Sequence, residues 1–192
     1  MKVINFAEQQ TVVNRYMSEL RDVCIQKDRA RFRNLERIGE VMAYEISKTL
    51  DYSVKDIQTP LGTAPTLLYN DPIVLGTIFR AGLPFHQGFL NVFEEADNAF
   101  VSAYRFYKDK ECHEVGIHIE YLATPDLNGK TLIIADPMLA TGGSLIATID
   151  ILKKRGCKHI CSLNLVCAPE GIAKVQEKHP DVEIYTASVD SH

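Results

Sequence analysis

The 192-residue sequence contains no C-x-x-C pair, and Cys157 and Cys161, four apart, lack paired histidines at zinc-finger spacing. Its five cysteines, Cys24, Cys112, Cys157, Cys161 and Cys167, are odd in number. This argues against a disulfide scaffold or a structural zinc site, and the expectation is reduced thiols in a cytoplasmic protein. Positive charge is not in excess either. Lys and Arg total 21 against 25 Asp and Glu, a formal net charge of -4. The molecule as a whole is therefore not built to sit on nucleic acid or an anionic membrane, and any anion site must be local. The start, MKVINFAEQQ, lacks a basic region followed by an apolar run, so no secretory signal is expected. No apolar run approaches the roughly 20 residues needed to span a bilayer. Internal repeats and low-complexity tracts are also missing.

What is present is an ordinary globular composition, 46% hydrophobic and 24% charged. The length suits one domain, residues 1–192, able to bury a core without metal or disulfide staples. Residues 1–51 read as N-terminal helices. Val12, Val13, Tyr16, Met17 and Leu20 recur at helical spacing, as do Leu35, Ile38, Val41, Met42, Ile46 and Leu50. Residues 52–71 read as a loop, broken by Pro60, Gly62 and Pro65. From there strand-like and helix-like segments alternate at the length of βαβ units. IVLGTIF and TLIIA read as buried strands, and 99–107 and 116–123 as two strands of a β-hairpin arm linked by polar residues 108–114. The pattern predicts an α/β fold: a mostly parallel sheet flanked by helices, with an N-terminal helical segment and a β-hairpin arm.

One junction carries chemistry. In ADPMLATGGSLIATIDILKKRG, residues 135–156, an apolar strand runs through a small-residue turn into a helix closed by Gly156. Ligands of open α/β sheets bind at the carboxyl ends of strands. A helix N-terminus placed there offers unpaired N–H groups and a partial positive charge. Gly142 and Gly143 let successive amides converge, and Thr141 and Ser144 add hydroxyls, which together describe a phosphate cradle. Asp136 would repel phosphate but can accept hydrogen bonds from sugar hydroxyls or help place a magnesium ion. No lysine follows Gly143, so this is not a Walker loop, and G-x-G-x-x-G is absent. The plainer alternative is a common βα loop capped by Ser144. Arg80 follows IVLGTIF in the same strand-to-helix position, and Arg105 sits between aromatic residues in AYRFY. A pair of guanidinium groups suits a diphosphate.

ADPMLATGGS resembles the phosphoribosyl-pyrophosphate loop of type I phosphoribosyltransferases, in the form of the uracil phosphoribosyltransferase branch. FRAGLPFHQGFL, LLYNDPIVLGTI, CAPEGIAKVQEKHPDVEIYTASVD and FRNLERIGEVMAYEIS are similar to that family as well, so the likeness covers nearly the whole chain. The resemblance implies transfer of a phosphoribosyl group from 5-phosphoribosyl 1-pyrophosphate to N1 of uracil, giving UMP and pyrophosphate. It implies Asp136 facing the ribose hydroxyls, with Met138, Ala140, Thr141, Gly142, Gly143 and Ser144 binding phosphoribosyl pyrophosphate and Arg80 and Arg105 meeting the pyrophosphate. Asp136 and Arg105 are the residues it casts as catalytic. It implies Mg2+ bound mainly through the substrate pyrophosphate rather than by a protein metal site, and a homodimer or higher homo-oligomer. The family builds its uracil pocket largely from a glycine- and proline-rich segment after the last strand. The sequence stops at His192 before such a segment, and the expectation is that the segment lies beyond it; the alternative is a relative without a base site.

Two other readings stay open. A nucleotide-sensing regulator on the same fold that binds RNA would need a basic face, against which the acidic balance argues. A catalytically weakened relative kept for assembly would give no turnover. Cys112, His113 and His118 on the hairpin read as surface residues rather than metal ligands, and His86 as a packing residue.

Overall fold

The computed structural model describes residues 2–25, 28–107 and 115–190. In chain order the strands and helices are β1 (Val3–Asn5), α1 (Val12–Arg21), α2 (Asp28–Ser47), β2 (Tyr52–Thr59), β3 (Gly62–Tyr69), β4 (Ile73–Phe79), α3 (Leu83–Leu90), β5 (Asp97–Tyr107), β6 (Val115–Ala123), β7 (Thr131–Ala135), β8 (Met138–Leu139), α4 (Gly143–Lys153), β9 (His159–Cys167), α5 (Pro169–Lys178) and β10 (Glu183–Val189). A single 3-10 turn, Phe6–Glu8, links β1 to α1.

One sheet runs β1-β10-β9-β7-β4-β5-β6, with β8 added onto β9. Its pairs are parallel except β5 with β6. Helices cover both faces. Ile133 and Ala135 of β7 pack with Val13, Ile38, Met42, Phe85 and Phe89 on the α1–α3 side. Leu132 and Ile134 pack with Leu145, Ile149, Leu152 and Val175 on the α4–α5 side. Burial on both faces explains why β7 is apolar at nearly every position, and it puts the carboxyl ends of β4 and β7 side by side at the middle of the sheet.

The α/β class and the mostly parallel sheet match the sequence expectation. IVLGTIF and TLIIA occupy β4 and β7 with the expected limits. Gly156 does take the left-handed conformation, φ 84°, that ends the turn after α4. Residues 52–71 do not form a loop: they fold into an antiparallel hairpin, β2 with β3. Pro60 and Leu61 make its two-residue turn, and Pro65 sits in a strand with a free outer edge, where its missing N–H costs little. Leu67 and Val54 face each other across the hairpin and are 64% and 62% exposed. β1, only three residues long, was not expected. The residues linking β5 to β6, with Cys112 and His113, lie outside the described residues.

Candidate active site

The chain leaves β4 at Phe79, passes Arg80 through a cis peptide bond, and turns into α3 at Gly82. The turn hugs the sheet. A Cβ on Gly82 would collide with Thr77 Oγ1 and stand 2.8 Å from the Ile78 carbonyl oxygen. One strand over, β7 ends at Ala135 and the loop 136–142 leads into α4. Gly142, the residue before the helix, has φ 77°, a left-handed conformation that side-chain-bearing residues enter at a cost. The first bond of the α4 turn runs from the Ile146 N–H to the Gly142 carbonyl, 2.9 Å. The amides of Gly143, Ser144 and Leu145 therefore precede the intrahelical ladder and have no partner within it.

These two turns enclose a cavity of about 160 Å³. Arg80, Asp136, Met138, Ala140, Thr141, Gly142, Gly143 and Ser144 all line it, together with Ile78, Phe79, Ala81, Ala103 and Leu145. The loop and the arginine turn are thus brought to one site, as the sequence suggested. Arg105 lies on β5 opposite Ile117, two residues beyond Ala103, and its side chain is outside the described residues. Asp136 is the one acidic side chain lining the cavity, among the described residues, and Arg80 the one basic side chain. With the amino end of α4 also pointing there, the site combines a positive potential, which favours an anion, with one carboxylate, which can accept hydrogen bonds.

The loop is held from behind. The Asp136 N–H donates to the Leu163 carbonyl at 2.9 Å, and the Leu165 and Val166 amides both donate to the Pro137 carbonyl at 3.0 Å. The Ala168 N–H donates to the Leu139 carbonyl at 2.8 Å. Gly171, in the first turn of α5, lies directly against the Ala140 carbonyl. Burial, reinforced by the nearby Asp136 charge, pushes the Cys167 thiol up to about 12 despite a hydrogen bond with Thr186.

A second, more apolar cavity of about 630 Å³ adjoins the first and shares Arg80, Ala81 and Met138 with it. Met17, Leu20, Phe32, Leu35, Leu165 and Val166 supply its apolar walls. Met138, 67% exposed, stands where the two meet. Sequence reasoning missed Ala103 and Gly171, and it missed Thr77 and Asn164 under the loop. A polar residue inside a buried strand was the available signal for the last two.

The weaker candidates stay apart. His86 is buried with Nε2 2.7 Å from Asn98 Oδ1, and burial holds its pKa below the ordinary histidine value. His118 packs beside Tyr104, ring centroids 5.1 Å apart. Among the described residues no group of three or more His, Cys, Asp or Glu side chains could hold a metal ion.

Comparison with known proteins fits this geometry. The uracil phosphoribosyltransferase family model matches residues 7–192. The uracil phosphoribosyltransferases of two Porphyromonas gingivalis strains are 49% identical over 193 residues, covering 99% of this chain and 88% of theirs. A solved structure of an Aquifex aeolicus protein superimposes with a TM-score of 0.87 at 28% identity, covering 98% of this chain and 87% of its own. A purine phosphoribosyltransferase from Pyrococcus horikoshii shares the fold, with a TM-score of 0.53 at 16% identity over 81% of this chain and 86% of its own. By the extent of the family match and the identity to curated members, the chain belongs to the uracil phosphoribosyltransferase family.

Proposed function

We propose that the chain transfers the phosphoribosyl group of 5-phosphoribosyl 1-pyrophosphate to N1 of uracil, forming UMP and releasing pyrophosphate. One observation carries the reading of the site: Arg80, Asp136 and the 140–144 cradle line a single cavity at the carboxyl edge of the sheet.

The amides at the start of α4, with Thr141 and Ser144, bind the 5′-phosphate. Asp136 accepts hydrogen bonds from the ribose hydroxyls and so fixes C1′. Arg80, and Arg105 from β5, hold the pyrophosphate. As the bond from C1′ to pyrophosphate lengthens, positive charge grows on the ribose ring and negative charge on the leaving group. Asp136 favours the first and the arginines the second, so placement and electrostatics supply the rate enhancement without a covalent nucleophile. The adjoining cavity, with Met138 at its mouth, gives the flat base an apolar wall.

Asp136 would face a Mg2+ ion carried in with the pyrophosphate, and such an ion would supply neutralisation of the leaving group's charge. The residues fit such an ion: Asp136 is the single described carboxylate lining the cavity, so the substrate's oxygens and water must supply most ligands. A homodimer or higher homo-oligomer is part of the proposal, supported by the exposed apolar face of the β2–β3 hairpin. A cytoplasmic setting is supported by the unpaired Cys24, Cys157, Cys161 and Cys167. No helix among the described residues is long and apolar enough to cross a membrane.

The test is to incubate the chain with uracil, phosphoribosyl pyrophosphate and Mg2+ and to resolve the products by chromatography. UMP and pyrophosphate in equal amounts support the reading; a folded chain that forms neither refutes it.

A further inference from the structure

Beneath the 136–142 loop, fully buried polar side chains interrupt the apolar runs of two strands. Thr77 of β4 and Asn164 of β9 are both 0% exposed. They flank β7, and they reach its last carbonyls. The Thr77 hydroxyl donates to the Ala135 carbonyl at 3.3 Å, and Asn164 Nδ2 donates to the Asp136 carbonyl at 2.7 Å. Asn164 is itself oriented: its Oδ1 accepts from the Ser162 hydroxyl at 2.9 Å, and Ser162 is also 0% exposed. The Asp136 carbonyl can only accept, so it is the amide NH2 of Asn164 that faces it, and the Ser162 hydroxyl, free to donate or accept, completes the arrangement at Oδ1.

The arrangement follows from a break in the ladder. β7 and β9 pair in register as far as Ala135 with Leu163, and β8 resumes with Met138 opposite Val166. In a regular parallel ladder the Leu165 amide would serve the Asp136 carbonyl. Here it donates to the Pro137 carbonyl instead, as does Val166. The Asp136 carbonyl accepts instead from the side chain of Asn164, which is fully buried. A hydrogen bond of this kind contributes about 0.5–1.5 kcal/mol, and its loss favours rotation of the peptide toward another donor. Rotation about that peptide would swing the Asp136 carboxylate away from the cavity it lines.

We propose that Asn164 is a positioning residue for Asp136, with Thr77 steadying the preceding carbonyl from the other neighbouring strand. The pair sets the direction of the Asp136 carboxylate toward the ribose without touching substrate. The inference rests on the reading that Asp136 acts on the ribose.

The experiment measures kcat and thermal midpoint for Asn164→Leu, Thr77→Val and Thr77→Ser, alone and combined with Asp136→Asn. Asn164→Leu removes the donor at similar volume, and Thr77→Val removes the hydroxyl. A displaced reacting group lowers the rate on the order of 10- to 100-fold, and that loss in kcat is expected of Asn164→Leu, with a smaller loss for Thr77→Val and recovery in Thr77→Ser. In the Asp136→Asn background the same substitutions should cause no further loss, because the group they orient is gone. Losses that multiply with that of Asp136→Asn would show a general structural role and overturn the proposal. Unchanged kcat in a folded Asn164→Leu or Thr77→Val overturns it too. If Asp136→Asn retains full activity, the role of Asp136 fails first and the proposal with it, while UMP formation by the wild type keeps the transferase reading intact.

Discussion

Gly171 and Ala140 meet where α5 begins: a Cβ on Gly171 would collide with the Ala140 carbonyl oxygen and stand 2.9 Å from that of Leu139. The 136–142 loop is thus pressed between the helix it precedes and the next helix along the chain. Gly171→Ala should push the 139–140 segment toward the cavity. The expected outcome is a rise in KM for phosphoribosyl pyrophosphate of roughly tenfold, with a stability loss of about 1–3 kcal/mol by urea unfolding. Unchanged KM would mean that the loop absorbs the methyl group without moving.

Gly142 has φ 77° at the amino end of α4. Gly142→Ala must either keep this left-handed conformation, at about 1–2 kcal/mol, or relax and turn the amides of the cradle away. Weaker substrate binding with a modest fall in thermal midpoint is expected, read by calorimetric titration with phosphoribosyl pyrophosphate.

The buried thiols make a pH-dependent prediction. Burial first, with the Glu183 charge, pushes the Cys161 thiol from its ordinary 9.0 up to about 12, and burial does the same to Cys167. The unfolded chain loses these protons above about pH 9 while the folded chain keeps them, so the unfolded state binds fewer protons in that window. The stabilisation is complete below pH 9 and fades as pH rises from 9 toward 12. Iodoacetamide at pH 8 should modify exposed Cys24 in the folded protein but reach Cys161 and Cys167 only in denaturant. Rapid alkylation of Cys161 in the folded chain would contradict this.

Val54 and Leu67 form an exposed cross-strand pair on a hairpin that lies off the main sheet, and Leu61 at its tip is fully exposed. A lone two-stranded hairpin is marginal in water. If this face joins two copies, Leu67→Glu should shift sedimentation toward the monomer with little change in the far-ultraviolet circular dichroism. A wild-type chain that sediments as a monomer would remove the hairpin from the account of assembly.

The sequence made some of this legible and hid the rest for physical reasons. β4 and β7 could be read because burial on both faces forces an apolar run with sharp ends at Arg80 and Asp136. The loop could be read because Gly142, Gly143 and Ser144 are needed for a tight turn into a helix. The β2–β3 hairpin was misread because neither face is buried against the main sheet, so no alternation was imposed on Val54, Asp56 or Ile57. Its Pro60 and Gly62, taken as loop residues, mark the turn instead. Gly171 gave no local sign, since its constraint comes from Ala140, distant in sequence. Thr77 and Asn164 are polar residues in buried strands and were passed over, because their partner, the edge of β7, appears only once the strands are ordered.

Arg80 and the 136–144 loop line one cavity, proposed above as the site of phosphoribosyl transfer to uracil. The most direct measurement follows labelled uracil into UMP, with phosphoribosyl pyrophosphate and Mg2+, for the wild type and Arg80→Ala in parallel. Arg80 is exposed and carries no core packing, so its removal should leave the thermal midpoint in place. Labelled UMP is expected from the wild type, with a fall in rate on the order of 100-fold or more in Arg80→Ala, the loss expected when a charge-stabilising group is removed. Equal rates in the two proteins, or no UMP from a folded wild-type chain, would contradict the proposal.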